Sequence, residues 1–271
     1  MQDGRQHLGA GITLRVLCPL PSHDFDPTEA AIPWAALGAA GHTVTFSTPN
    51  GAPAAADPRM VTGEGLGLLK PVLQADKAGR TAYAAMVASP GFQRPLAWAE
   101  TVALDFDALL LPGGHAKGMR EVLEAGVVQA MVVAFFQADR PVAAICHGTL
   151  LAARSTDPET GRSVLHGRKT TGLTRSQELA AWALTAAWLG DYYRTYPEPM
   201  ETELRRQLAA PTDYDPGPLP LRRDSVGNLA PGFTVRDRNY LSARWPGDAH
   251  RFAAEFVAML GEQRLRAWGR S

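Results

Sequence analysis

The sequence predicts an α/β fold, a doubly wound, mainly parallel sheet sandwiched by helices, as in flavodoxin-like proteins. Short apolar runs alternate with helical stretches along the 271 residues. Two of these runs, at 108–111 and 141–145, lack polar residues, which is typical of strands buried on both faces. Glycine-containing turns follow at 112–115 and 146–148, and ligands bind beyond such strand ends.

The first predicted elements form one β-α-β unit. Residues 12–18 (ITLRVLC) form an apolar strand. A helix follows because 26–29 (DPTE) offers an N-cap acceptor, a proline at the first helical position and a glutamate three residues after the cap. This helix ends near Gly41, with Pro33 as a candidate kink, and the β-branched run 42–48 forms the second strand.

The rest of the chain continues this alternation of strands and helices. The later predicted elements are, in order, helical pieces at 66–74 and 81–87 with a turn at 89–91, the strand at 108–111, helical segments up to 138 that Gly126 splits, the strand at 141–145, a helix up to 154, a loop at 155–161, a strand at 164–173 interrupted at Gly167, a helix at 174–189, a hairpin of 233–235 and 240–243, and a closing helix at 248–268.

The size and composition predict one domain in a reducing compartment. We expect a flexible segment at 1–11 and a single domain at 12–271, because 271 residues lie near the upper size of one domain. Residues 197–231 are rich in proline and charge without a clear strand, so they form a surface insertion or lid. The two cysteines cannot form a disulfide framework, which favours free thiols in the cytoplasm.

Charge and hydropathy exclude several partner classes. Lys plus Arg and Asp plus Glu number 27 each, so no basic excess attracts nucleic acid. No stretch approaches the roughly 18 apolar residues of a membrane helix, and no signal peptide precedes the first strand. The composition therefore favours a small-molecule or neutral partner.

Cys146 is the strongest candidate for a reactive residue. It lies between a buried strand and a helix in PVAAICHGTLLAAR, the geometry of a nucleophile elbow. The helix that begins there points free N–H groups at the sulfur, which favours thiolate over thiol. The alternative is an inert packing cysteine, and the adjoining His147 and Gly148 favour the reactive interpretation.

The segment LLLPGGH supplies a second candidate feature. Gly113 and Gly114 let the backbone approach closely, and their N–H groups could donate to an oxyanion. A tight turn alone would also explain the two glycines. His23, Asp24 and His115 do not form a recognised metal-ligand spacing, so we expect no metal.

Four motifs resemble the ThiJ/PfpI superfamily within the class I glutamine amidotransferase-like fold. They are LLLPGGHAKGMREVL, RPVAAICHGTLLAAR, LHGRKTTGLTRSQE and DRNYLSAR, in that order. The resemblance runs from about Ile12 to the last helix, except for 197–231. The nearest branch contains proteins described as glutathione-independent glyoxalase III, protein deglycases or stress-inducible holding chaperones. It implies a homodimer without a cofactor that acts on a small carbonyl compound or a glycated protein.

The resemblance also implies roles for individual residues. Cys146 becomes the nucleophile and His147 its acid/base partner, while Gly113, Gly114 and His115 line the substrate or oxyanion site together with His147. Glu29 matches the family glutamate that contacts the cysteine sulfur. An ionised carboxylate there would raise the thiol pKa, so we expect Glu29 to be protonated. The alternative is that Glu29 only completes the capping box of its helix.

The residue that would orient His147 is assigned by the same resemblance. Glu178 matches the orienting acid of part of the branch, and some relatives carry it three residues earlier, where this chain has Arg175. An orienting carboxylate would stabilise imidazolium. A glutamate near a helix start is otherwise an ordinary choice. Asp248, in the turn RWPGDAH, is the second candidate.

These residues leave three functions open. The first is cysteine-dependent conversion of reactive aldehydes such as methylglyoxal to hydroxyacids. The second is amide or peptide hydrolysis by the same thiol, because both reactions begin with attack on a carbonyl. The third is non-enzymatic, a stress chaperone or a redox sensor that uses Cys146. True glutamine amidotransferases supply a late H-x-E motif, and no H-x-E occurs in this chain.

Overall fold

The computed structural model describes residues 13–268, with side chains up to Gln263. The predicted flexible segment 1–11 and residue Ile12 lie outside the described residues. The strands are β1 Arg15–Pro19, β2 His23–Phe25, β3 Thr43–Thr48, β4 Ala55–Ala56, β5 Leu96–Ala97, β6 Ala108–Leu111, β7 Val142–Ile145, β8 Thr156–Asp157, β9 Arg162–Ser163, β10 Thr234–Asp237 and β11 Tyr240–Ala243.

Eleven α-helices and several 3₁₀ turns connect these strands within the described range. The helices are α1 Pro27–Ala39, α2 Pro58–Thr62, α3 Lys70–Leu73, α4 Lys77–Val87, α5 Pro90–Gln93, α6 Arg120–Leu123, α7 Gly126–Gln137, α8 His147–Arg154, α9 Arg175–Leu189, α10 Met200–Gln207 and α11 Ala249–Trp268. The 3₁₀ turns are Gly67–Leu69, Trp98–Glu100, Ala103–Asp105, Lys117–Met119, Pro211–Asp213 and Pro246–Asp248.

The main sheet confirms the predicted doubly wound architecture. Its seven strands run in the order β10-β11-β7-β6-β1-β3-β5, and every pair is parallel except β10 with β11. Every residue of β6 and β7 is buried, which explains their uninterrupted apolar sequences. Both strands end at the same edge of the sheet, so the turns that follow them lie close together.

Helix α1 forms as its sequence predicts. The Asp26 side chain accepts hydrogen bonds from the N–H groups of Thr28 and Glu29, and Pro27 occupies the first helical position. Pro33 lies inside the helix without ending it. The buried face of α1 contacts α4 and α11, while α8 contacts α6, α7 and α10, so helices flank the sheet.

The predicted strand at 164–173 is wrong. Turns occupy its first half, and only Thr170 forms an isolated parallel bridge, with Tyr214. The place beside β11 is taken by β10, so the N–H of Thr171 donates to the Ser242 side chain instead. Part of the predicted loop 155–161 also pairs, because β8 and β9 form a small hairpin.

The segment 197–231 is partly integrated into the fold. It contains α10, whose Met200 and Leu204 are buried against α8. The remainder of the segment crosses the carboxyl edge of the sheet and contributes Pro220 and Arg223 to a cavity there. Its action as a lid stays a prediction. No helix within the described part of the chain is long and apolar enough to cross a membrane.

Candidate active site

Cys146 occupies a sharp turn between β7 and α8. Its backbone has φ +56° and ψ −127°, a conformation that non-glycine residues rarely adopt. Such strain persists only where the surrounding structure enforces it, and it concentrates at functional sites. A Cβ at Gly148 would lie 2.0 Å from the Leu111 carbonyl oxygen, so only glycine lets α8 start this close to β6. The predicted elbow is therefore present.

The Cys146 thiol is more deeply buried than its position at a helix start suggests. Its residue is 1% exposed. Burial raises the pKa of the Cys146 thiol well above its usual value, and negative charge on Glu29 or Asp26 raises it further. The N–H of His147 lowers this pKa, but by less than burial raises it. Desolvation therefore opposes the resting thiolate that the helix start alone predicts, and the thiolate stays a prediction.

His147 is placed to accept the thiol proton. Its Nδ1 lies 3.6 Å from the Cys146 sulfur. Burial lowers the pKa of His147 well below its usual value, and the nearby His115 and Arg154 lower it further, so the ring is neutral. The His115 ring packs edge-on against it with centroids 5.5 Å apart, and burial lowers the pKa of His115 to about 4. Two neutral imidazoles therefore lie beside the thiol.

Glu29 bridges the two strand-end turns. Its Oε2 accepts a hydrogen bond of 2.8 Å from the Gly113 N–H. Burial raises the pKa of Glu29 well above its usual value, and the charge on Asp26 raises it further, which favours the protonated carboxyl. The carboxyl also forms a side-chain hydrogen bond with the Cys146 thiol, which is the contact with the sulfur that the resemblance implies, although Oε1 has no partner under strict hydrogen-bond geometry. Glu29 therefore faces the site rather than completing a capping box.

The two glycines of the PGGH turn have different positions. The N–H of Gly113 is engaged by Glu29, so it is not free for an oxyanion. A Cβ at Gly113 would lie 2.6 Å from the His147 nitrogen and 2.9 Å from the Cys146 Cβ, which makes glycine necessary there. Gly114 lines the cavity above Cys146, and no described residue accepts a hydrogen bond from its N–H.

Neither acid proposed to orient His147 contacts it. The His147 Nε2 atom has no hydrogen-bond partner within the described part of the chain. Glu178 instead accepts a 2.9 Å hydrogen bond from the N–H of Met200, the first residue of α10. Asp248 is paired with Arg244. The expected hydrogen bond between Glu178 and His147 is thus absent, since Glu178 caps α10, a helix of the segment 197–231.

The position of Glu178 leads to a prediction about stability. Burial raises the pKa of Glu178 to about 7. A carboxyl whose folded pKa is raised favours folding fully below its unfolded pKa of roughly 4.3, and this contribution is lost as the pH rises through 7. We expect the stability of Glu178→Gln, relative to wild type, to increase by about 2–3 kcal/mol between pH 5 and pH 8. Urea unfolding of both proteins at the two pH values measures this difference.

The same variant separates a capping role from an orienting role. Since Glu178 does not contact His147, Glu178→Gln should change kcat by less than about threefold, as expected for a residue outside the reacting groups. A 100-fold loss of kcat in a folded variant would contradict the capping assignment and restore Glu178 to the catalytic group. Other ionising groups, such as Asp26, are common to both proteins and cancel in the comparison.

A cavity of about 220 Å³ opens above the sulfur of Cys146. A cavity needs roughly 10–15 Å³ to hold one water, so this volume accepts an organic molecule. The predicted residues Glu29, Gly114 and His115 line it beside Cys146. Four polar residues that were not predicted as site residues from the sequence also line the cavity, which are Asp26, Gln177, Arg223 and Trp245. The pair Arg222 and Arg223, next to Asp224 in a proline-rich stretch, was the available signal for one of them.

Three of the site residues have donor atoms suited to a transition metal. The ligand atoms of His115, Cys146 and His147 all lie within 4.8 Å of one another. Imidazole and thiolate are ligands that zinc and copper accept. Asp24, from the group considered in the sequence, instead accepts a hydrogen bond from the Gly118 N–H. The expectation that the protein needs no metal stays a prediction.

Solved structures share this fold at low sequence identity. The Rapid Encystment Protein of Francisella tularensis is 17% identical with a TM-score of 0.68, and the alignment covers 92% of this chain and 99% of that protein. A glyoxalase III of Candida albicans is 18% identical with a TM-score of 0.64, covering 91% and 97%. DJ-1beta of Drosophila melanogaster is 17% identical with a TM-score of 0.52, covering 94% and 95%.

Sequence comparison identifies the family. A search of curated proteins gives no match. The model of a family described as ThiJ/PfpI family-like matches residues 20–218, a range that includes α1, the PGGH turn, the Cys146 elbow and all of α9 and α10. This match spans more than half of the chain, contains the first three of the four motifs, and extends into the segment 197–231 as far as residue 218, which the motifs had not covered. The chain therefore belongs to the ThiJ/PfpI family.

Proposed function

We propose that this protein is a cysteine-dependent enzyme that converts 2-oxoaldehydes such as methylglyoxal to 2-hydroxyacids without glutathione or a cofactor. The observation that carries the proposal is the strained Cys146, whose sulfur lies 3.6 Å from the neutral Nδ1 of His147 beside a cavity. A nucleophile within reach of its base at a strand-end cavity is the arrangement that covalent catalysis requires.

The first step is addition of the thiol to the aldehyde. The Cys146 sulfur bonds to C1 of the substrate while its proton passes to His147 Nδ1. Proton transfer and attack occur together, because burial disfavours a free thiolate. The oxygen of the resulting hemithioacetal accepts a hydrogen bond from the N–H of Gly114, a residue that lines the cavity. The protonated Glu29 keeps a second negative charge away from the sulfur.

The later steps move one proton and add one water. His147 delivers its proton to the C2 oxygen and removes the proton from C1, which gives an enediol, and reprotonation at C2 gives a thioester. Water then hydrolyses the thioester to the hydroxyacid and regenerates the thiol. C1 is oxidised to the carboxylate level while C2 is reduced to an alcohol, so no external oxidant or reductant is required.

The family and its fold support this proposal without deciding the substrate. The Candida albicans protein that shares the fold is called glyoxalase III, at 18% identity. Related scaffolds host several reactions, so the assignment depends on the site. A small carbonyl compound or a carbonyl adduct on a glycated protein is the proposed partner. We further propose a cytoplasmic homodimer, as the family resemblance implies.

Product analysis tests the proposed reaction. Purified protein is incubated with methylglyoxal in the presence of a metal chelator and without glutathione. We expect one lactate for each methylglyoxal consumed. Consumption without lactate, or turnover of fluorogenic amides and peptides in its place, would favour the hydrolase alternative. Protection of an aggregating client that is unchanged in Cys146→Ala, without any turnover, would favour the chaperone alternative.

Variants of Glu29 test its protonated state. Glutamine keeps an oxygen for the Gly113 N–H and offers a neutral donor toward the sulfur, so Glu29→Gln should retain kcat/KM within about tenfold of wild type. Glu29→Ala removes both contacts and should lose about 10- to 100-fold, the effect of one hydrogen bond to a charged group. Equal losses in the two variants, measured as kcat/KM for methylglyoxal, would mean that an ionised carboxylate is needed.

A further inference from the structure

Three buried N–H donors that have no hydrogen-bond partner among the described residues belong to side chains that line the cavity above Cys146. They are Arg223 Nη1, Gln177 Nε2 and Trp245 Nε1, and all three residues line the cavity. Buried donors are nearly always satisfied in folded proteins, because an unsatisfied group loses its hydration without compensation. Three such donors around one cavity indicate a ligand that supplies acceptors.

The arrangement of the donors is fixed by other contacts. The Oε1 atom of Gln177 accepts a 3.2 Å hydrogen bond from the Thr174 N–H in the capping box of α9, which leaves Nε2 as the unpartnered atom. The Nη2 atom of Arg223 donates to the Val72 carbonyl at 3.2 Å. Its guanidinium lies 5.4 Å from the centroid of the Trp245 ring. The donors are therefore held in place before a ligand binds.

The charges around the cavity favour a ligand with a single negative charge. Arg223 makes no ion pair with any described acid. Burial raises the pKa of Asp26, which lines the same cavity, to about 6, and the Arg223 charge offsets only part of this rise. Asp26 Oδ1 is already engaged at the start of α1. The Asp26 charge disfavours a dianion such as a phosphate monoester. A carboxylate has one charge and about four acceptor sites, which matches one guanidinium and two neutral donors.

The remaining wall of the cavity is apolar. Leu173, Ala180, Ala181 and Leu184 line it on one side and Met60 and Leu73 on the other. Such a wall accommodates a short methylene chain between a carboxylate at one end and a reactive carbonyl at the other. Methylglyoxal, with three carbons and no carboxylate, would leave the three donors unused.

We propose that the preferred substrate is a 2-oxoaldehyde that carries a carboxylate, with the carboxylate held by Arg223, Gln177 and Trp245 and the aldehyde at Cys146. The aldehyde part of this inference rests on the proposed function, whereas the carboxylate site does not. With 4,5-dioxopentanoate as the probe, the thiol adds to C5. C5 then loses its hydrogen as a proton, and C4 gains one. Addition of one water then gives 2-hydroxypentanedioate, so atoms and electrons balance.

Binding of an unreactive probe tests the carboxylate site without turnover. Calorimetry on the Cys146→Ala protein compares 4-oxopentanoate with its neutral amide. We expect the carboxylate to bind roughly 10- to 100-fold more tightly than the amide, the range of a charge-assisted hydrogen bond. Arg223→Met should abolish this preference, and Arg223→Lys should retain part of it, since lysine keeps the charge without the planar fork.

Arg222 provides the matched control. It is exposed, adjacent in sequence, and carries the same charge. Arg222→Met should leave the preference for the carboxylate unchanged within about twofold, because charges exposed to solvent are screened. Equal affinities for the acid and the amide, or equal effects of the two arginine variants, would overturn the inference.

Kinetics with the reactive probes separates this inference from the proposed function. We expect kcat/KM for 4,5-dioxopentanoate to exceed that for methylglyoxal by at least about tenfold, and Arg223→Met to raise KM for the former alone. Turnover of methylglyoxal without any preference for the carboxylate would overturn the inference and leave the function standing. Binding of 4-oxopentanoate that depends on Arg223, with turnover of neither aldehyde, would support the carboxylate site and reject the function.

Discussion

Replacing Cys146 with alanine is expected to lower kcat/KM for methylglyoxal by at least about 10³-fold, because no other group in the cavity can form the covalent intermediate. The neighbouring imidazoles of His115 and His147 are neutral, and the sulfur is the nucleophile of the proposed reaction. Alanine fits the elbow as well as cysteine does, so the protein should remain folded. Steady-state rates of methylglyoxal loss, with circular dichroism to verify the fold, measure the effect.

Cys18 supplies the matched control for this substitution. It is the other cysteine of the chain and lies buried in β1, paired with Phe46 of β3, where burial raises the pKa of its thiol. Cys18 does not line the cavity. Cys18→Ala should therefore keep kcat/KM within about threefold of wild type, at the stability cost of a small core truncation. A similar loss of activity in both variants, or activity retained by Cys146→Ala, would contradict a nucleophilic role for Cys146.

The parts of the fold that local sequence determines could be predicted. The cap at Asp26 and the uninterrupted apolar runs of β6 and β7 depend on residues that are close in sequence, so these patterns are readable along the chain. The elbow at Cys146 follows from the same patterns. The approach of Glu29 to the site was expected only from the family resemblance, since its contact with Gly113 joins residues 84 positions apart.

The errors share a physical cause, which is competition between partners distant in sequence. The strand expected at 164–173 does not form, and β10 occupies the place beside β11. Glu178 looked like an orienting acid, but its carboxylate is used by the N–H of Met200, in a segment that no motif matched. The thiolate expected at Cys146 is opposed by desolvation, which depends on how the whole fold covers the sulfur. Arg223 was not predicted as a cavity residue because it too lies in the segment 197–231, which none of the motifs covers.

Asp248 is the position where we expect the largest loss of stability. Its carboxylate and the Arg244 guanidinium are both fully buried, and two hydrogen bonds of 2.9 Å join them. The second carboxylate oxygen also accepts from the Phe233 N–H, so Asp248 ties together the ends of β10, β11 and α11. Asp248→Ala leaves a buried, unpaired guanidinium, and removing one partner of such a pair costs about 3–5 kcal/mol. Denaturant unfolding measures the change in the free energy of unfolding.

The sign of a double substitution distinguishes a cost of unpaired charge from a direct contribution of the ion pair. Replacing both residues, as in Arg244→Met with Asp248→Leu, should destabilise the protein less than Asp248→Ala alone, because no buried charge remains. The exposed pair of Glu198 and Arg206 is the control, and Glu198→Gln should cost no more than about 1 kcal/mol. Since Asp248 does not contact His147, the folded fraction of Asp248→Ala should keep the pH dependence of kcat. A pH profile altered in Asp248→Ala alone would instead assign Asp248 to the orientation of His147.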